Sequence, residues 1–153
     1  MSAPTPSQLK NRIVTMCGRI TNITTSQDGW PEDEHGFNAS ELAAILTQIR
    51  LPVLMQPVSG TQFSLTTTFE LLLLAARFPA DRRLRDVETW EACEPFVLSI
   101  PSYFNQHRRL EDSDAGLAVS ITLPQLQAIE ALALDNALYA AARFTMQVQT
   151  LHT

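Results

Sequence analysis

Between Phe63 and Phe78 the chain reads FSLTTTFELLLLAARF. Phe63, Leu65, Thr67, Phe69, Leu71 and Leu73 occupy every second position, with Ser64, Thr66, Thr68 and Glu70 between them. A period of two is the repeat of a strand with one covered face. From Leu72 the intervening positions turn apolar too, so this end of the strand has to be covered on both sides. The oily block Leu71–Ala76 is six residues long. A helix needs roughly 20 apolar residues to cross a bilayer, so the expectation is no membrane partner.

The closing segment LYAAARFTMQVQTL, residues 138–151, alternates still more cleanly. Leu138, Ala140, Ala142, Phe144, Met146, Val148 and Thr150 share one face; Tyr139, Ala141, Arg143, Thr145 and Gln147 share the other. Arg143 is its single formal charge, and it holds no Gly or Pro. Edge strands are usually blunted by Lys, Pro or bulges. This strand is therefore central or paired with something, and the Phe63 stretch is equally unguarded. A closed homo-oligomer, in which sister copies shield both through one repeated heterologous contact, is an economical solution.

The remaining segments supply helices. Leu9, Ile13, Met16, Cys17 and Ile20 form one apolar stripe at helical spacing, with Ser7 as the expected N-cap. Residues 24–37, TTSQDGWPEDEHGF, are rich in turn formers and acids and read as a long loop. NASELAAILTQIR, Asn38–Arg50, reads as a short helix with Leu42, Ile45, Leu46 and Ile49 inward, ending before Pro52. LPVLMQPVSG is extended and, with Pro52 and Pro57, at most an edge strand. After the charged turn Pro79–Asp86, two helical segments are expected, Asp86–Cys93 and Pro95–His107. Pro101 is expected to kink or break the second, and Trp90, Phe96, Val97, Ile100 and Phe104 form the core. Leu117, Val119, Ile121 and Leu123 alternate again, and Gln125–Asn136 is taken as extended. The sum is one α+β domain over residues 1–153, with a mostly antiparallel sheet and helices packed on one face.

Chemistry is hard to find in these residues. No phosphate loop, dinucleotide fingerprint or nucleophile elbow occurs, and the five glycines do not cluster. His35, His107 and His152 lie apart, without metal-site spacing. His35 with Glu32, Asp33 and Glu34 offers cation ligands, but a solvated acidic loop explains them more simply. Glu111 and Asp112 read as turn residues. Cys17 and Cys93 read as buried thiols, with a disulfide as the other option. Cys93 and His107 stand about 21 Å apart along a straight helix, too far for a catalytic pair. The expectation is a non-enzyme with no cofactor and no metal. The formal charge of −5 speaks against a generic nucleic-acid binder and against steering to anionic lipid. The N-terminus has no apolar core of a signal peptide. Two arginine groups, Arg82, Arg83 and Arg85 in one turn and Arg108 and Arg109 in another, are either solvated loop charges or docking points for an acidic partner ring or for DNA passing nearby. Trp30 is either tucked onto the domain or an anchor for a partner.

The order and texture resemble tail terminator proteins of tailed phages. The resemblance rests on the short N-terminal helix, on LPVLMQP leading into TQFSLTTTFELLLLAARF, on the helix VETWEACEPFVLSIPSYFNQHRRL, and on the closing strand LYAAARFTMQVQT. The long acidic loop, residues 24–37, and the helix read at Asn38–Arg50 depart from the strand expected there. The resemblance implies a ring, usually of six subunits, that caps the tail tube and offers its other face to the head–tail connector protein, with DNA passing through unread. It implies a virion protein assembled in the host cytoplasm, with no catalytic residues. Trp30, Arg82, Arg83, Arg108 and Arg109 are the candidate interface residues, nominated on charge and exposure. Head-completion or tube proteins, a small ligand-binding or enzyme domain, and a regulatory partner binding DNA are the alternatives.

Overall fold

The computed structural model describes residues 3–29, 42–108, 110, 119–134 and 137–153. Trp30, the acidic segment around His35, Arg109, Glu111, Asp112 and Leu117 lie outside the described residues.

Helix α1 spans Pro6–Cys17. Its cap is Thr5 rather than Ser7, because Thr5 and Gln8 form a reciprocal capping box and Pro6 starts the first turn. Leu9, Ile13, Met16 and Cys17 are its buried stripe. The stretch expected to be loop from residue 24 instead opens with a short strand, β1, Thr25–Asp28. It runs parallel to the first residues of β2, Ala44–Pro57, pairing Thr25 with Ala44 and Asp28 with Thr47.

The helix expected over Asn38–Arg50 is replaced by this strand in its described part. Ala43, Ala44, Ile45, Leu46 and Thr47 are all buried in succession. A strand covered on both faces loses its period of two, and a continuous apolar run then fits either template. Beyond Arg50 a bulge shifts the register, and β2 continues as an edge strand, as Pro52 and Pro57 demanded.

Strand β3, Phe63–Pro79, pairs antiparallel with β2 and, over nearly its whole length, with β6, Ala137–His152. Strands β4, Val119–Ile121, and β5, Gln125–Leu134, lie end to end along the other side of β6. The path is β1-β2-β3-β6-β4, with β5 beside β6. The two unguarded strands are thus the two central ones, and each shields the other. Sister copies are not needed for that.

Helix α2 runs unbroken over Asp86–Gln106, through both Pro95 and Pro101. Two segments were expected. Each proline deletes one helical hydrogen bond, but both lie off the buried stripe Thr89, Cys93, Phe96, Ile100, Phe104, so solvent can serve the freed carbonyls. Trp90, expected in the core, is 42% exposed.

The protein has an α+β fold with a mixed, mostly antiparallel, curled sheet. Both helices contribute to one apolar core, meeting Ile45 of β2, Phe69, Leu71 and Leu73 of β3, and Ala140, Ala142, Phe144 and Met146 of β6. On the far face Leu46, Leu72, Leu74, Tyr139 and Ala141 form a second buried cluster, with Leu42, Leu132 and Leu134 at its margin. The doubly apolar end of β3 anticipated this layer. No described helix is long and apolar enough to cross a membrane.

Candidate assembly surfaces

The far face changes character along the strands. Below the apolar cluster, a polar ladder crosses four strands. Arg143 Nε donates to Glu130 Oε1 at 2.6 Å and Nη1 to Glu70 Oε1 at 3.2 Å, while Gln48 Nε2 reaches Glu70 Oε2 at 3.4 Å. Hydrogen bonds and charge from both glutamates raise the Arg143 pKa above its ordinary value against the opposing effect of burial. Further along, a groove of about 430 Å3 is lined by Arg50, Thr68, Thr122, Gln125, Gln127 and Gln147, among others. It is polar and holds one charged residue, so it offers hydrogen bonds but no acid–base pair.

The nominated arginines separate into two places. Arg82 and Arg83 precede α2 and Arg108 follows it; 20 residues at 1.5 Å each put these ends about 30 Å apart. Arg82 lies 4.8 Å from the centre of the Phe78 ring and is ion-paired with Glu88, which also accepts from Arg85 Nε at 2.8 Å. The Glu88 carboxyl is held below its ordinary pKa chiefly by the Arg85 hydrogen bond, with the charges of Arg82 and Arg85 adding to it against partial desolvation. Arg85 is raised by the same partner. Arg83 is exposed. Arg108 is exposed and donates to Asn105 Oδ1 through Nε at 3.1 Å and Nη2 at 2.7 Å. Beside it, His107 stacks on Tyr103 with centroids 4.2 Å apart.

The thiols are structural. Cys17 and Cys93 are free and buried in the same core, not disulfide-bonded. Burial pushes the Cys93 thiol up to about 11, and pushes Cys17 up further despite the nearby Thr47 hydroxyl. Neither offers a thiolate at neutral pH. Among the described residues no group of three or more His, Cys, Asp or Glu is placed to hold a metal ion.

Two apolar surfaces remain that the periodicities did not single out. The outer edge of β2 and its turn expose Leu51 (79%), Leu54 (59%), Met55 (67%) and Val58 (58%). No charged residue occurs between Arg50 and Glu70. On α2, Val87, Trp90 and Leu98 are exposed, at i, i+3 and i+11, with Glu94 between them at i+7. The first set was hidden by reading LPVLMQPVSG only for its prolines. The second is masked because α2 carries two stripes, and Trp90 belongs to the outward one rather than to the core. Helical spacing from Val87 was the available signal.

No protein-family model matches this chain, and a search of curated proteins finds no significant relative.

Proposed function

We propose that the chain is a structural subunit of a tailed-phage virion, a tail terminator whose copies form a ring that caps the tail tube and meets the head–tail connector. The observation that carries this reading is the free stretch of β2 and its turn, where Leu51, Leu54, Met55 and Val58 are exposed and no charged residue occurs between Arg50 and Glu70. Exposed apolar side chains gathered on one stretch of chain mark association surfaces. The strand at Ala44–Pro57 stands where the resemblance expected one. Arg82 and Arg83 at one end of α2 and Arg108 at the other suit a subunit that presents charge to two opposite partners, the tube and the connector.

The test is mass photometry and negative-stain microscopy of the purified chain, alone and mixed with tail tube protein. A closed ring that stacks on tube ends and halts their growth is the expected result. A compact monomer in both settings refutes the reading. The polar groove beside Arg50 and Gln127 favours a second reading, a small ligand-binding domain. A thermal-shift rise with one member of a metal, nucleotide and sugar panel supports it.

A further inference from the structure

The two margins of the sheet are protected unequally. On one side β1 covers the start of β2, and Pro52, Pro57 and the bulge guard the rest. On the other side β5 pairs with β6 alone. From Ala128 to Leu134 that ladder is regular, and the stretch holds no Gly, Pro or Lys. Its one charge, Glu130, is held by Arg143. No residue of β5 is buried. We infer that this margin takes up one further strand, an extended basic segment of a partner protein, in the groove between β5 and α2. The inference stands apart from the ring reading.

The register fixes which main-chain groups are available. Gln147 N donates to Thr122 Oγ1 at 2.9 Å, and its carbonyl accepts from Thr122 N at 2.9 Å, so both groups turn to the β4–β5 side of β6. Strand β6 runs without a bulge, and successive residues of a strand alternate in this direction. Tyr139, Ala141 and Arg143 therefore face β5 too, where they pair with Leu132, Glu130 and Ala128. The residues between, Ile129, Ala131 and Ala133, direct their N–H and C=O groups to the open side. Among the described residues nothing bonds to them there. Three alternate residues with both groups free are the template that strand addition uses.

The occupant follows from the groove's second wall. Ile129 and Ala131 form one side of a cleft of about 300 Å3, and Asp86, Thr89 and Trp90 of α2 form the other. A strand laid against β5 turns every second side chain into it. Helix α2 holds Asp86, Glu88, Glu91 and Glu94 and no Lys or Arg. Of the arginines before it, Arg82 and Arg85 are engaged by Glu88, and Arg83 is exposed. Asp86 has no ion-pair partner among the described residues. Glu130 reaches the opposite face, where Arg143 Nε donates to it at 2.6 Å. An arginine entering the cleft lays its guanidinium on the Trp90 ring and meets the Asp86 carboxylate. A second copy fits less well: β5 paired with its own counterpart brings two α2 helices of four acids each to one junction.

The probes are capped peptides of alternating Thr and Val with Arg, Glu or Pro at the centre, titrated into the full chain by calorimetry and amide NMR. The Arg peptide is expected to bind, to shift the amides of Ile129, Ala131 and Ala133 most, and to slow their hydrogen exchange at least tenfold. The Glu and Pro peptides bind at least tenfold more weakly, the first for its charge and the second for its missing donor. Ala131→Pro removes one outward N–H and leaves the ladder to β6 intact, so the variant stays folded and loses at least tenfold in affinity. Asp86→Asn narrows the preference for Arg over Glu. Should Ala131→Pro change the folded spectrum, the Arg peptide with an N-methylated backbone, offered to the parent, makes the same comparison and is expected not to bind. Equal binding of the Arg and Glu peptides, binding that Ala131→Pro or N-methylation leaves unchanged, shifts confined to other strands, or no binding at millimolar peptide overturns the inference. A parent that dimerises until Ala131→Pro makes it monomeric overturns it in favour of a second copy.

Discussion

Replacing Arg143 by methionine tests how the far face of the sheet is held. The side chain is 27% exposed, and its partners differ: Glu70 is 13% exposed and Glu130 is 41% exposed. Glu130 regains water once the guanidinium is gone, so its loss resembles that of a surface pair, below about 1 kcal/mol. Glu70 cannot hydrate fully. Among the described residues it keeps only the Gln48 amide at 3.4 Å. A largely buried carboxylate left without its cation costs roughly 1–3 kcal/mol. The expected loss for Arg143→Met is therefore about 1–4 kcal/mol, against 3–5 kcal/mol for a fully buried pair. For a chain of this size that lowers Tm by roughly 2–16 °C.

Urea unfolding of four proteins measures it: the parent, Arg143→Met, Glu70→Gln, and the double variant. Because most of the cost lies in the stranded Glu70, adding Glu70→Gln to Arg143→Met should restore stability rather than lower it further. A loss under about 0.5 kcal/mol for Arg143→Met, or strictly additive singles, refutes the reasoning and reduces the ladder to surface decoration.

Leu72→Ala should destabilise by about 2–5 kcal/mol, as much as Leu71→Ala on the helix side, since both side chains are fully buried; urea midpoints decide it. Thr5→Ala removes half of the capping box and should cost about 1 kcal/mol in the same assay. Pro95→Ala should stabilise by about 1–3 kcal/mol, because it restores a helical hydrogen bond at an exposed site. For the thiols the folded pKa lies above the unfolded value, so their contribution is complete below about pH 8.5 and is lost as pH climbs through about 11 for Cys93. Urea midpoints of the parent against Cys17→Ala/Cys93→Ala should converge over that window, and a thiol reagent at pH 8 should label the unfolded chain only.

The legibility of this chain follows coverage. The lower part of β3 and all of β6 could be read because one face is apolar and the other carries Ser, Thr, Gln and Arg, so the alternation survives. Helix α1 could be read for the same reason at helical period. Residues 43–47 could not, because a strand enclosed on both faces leaves only an apolar run, and Leu42, Ile45, Leu46 and Ile49 then imitate a helix. The prolines of α2 read as punctuation by a local rule that tertiary burial of Cys93, Phe96, Ile100 and Phe104 overrides. Of the site, the arginines were visible as charge, but their division between the two ends of one helix required α2 to be continuous. The apolar stripe at Trp90 could be found only by asking which helix positions the core leaves over.

That remainder shifts the case for association to another part of the molecule. Charge-poor strands were expected to need neighbours, yet β3 and β6 are the best covered elements, paired with each other at sixteen positions from Phe63↔His152 to Pro79↔Ala137. A central strand has no need of gatekeeper charges, so the absence of Lys from β6 records its place in the sheet and nothing about partners. The edge strand β2 is where protection is required, and there two devices differ in what they prevent. Pro52, Pro57 and the bulge block main-chain pairing, which guards against open-ended sheet growth. They leave Leu51, Leu54, Met55 and Val58 in water, which charges at the same positions would have avoided. A chain that needed only solubility gains nothing from that combination. One that must meet a single partner through side chains, and refuse every other strand, requires both halves of it.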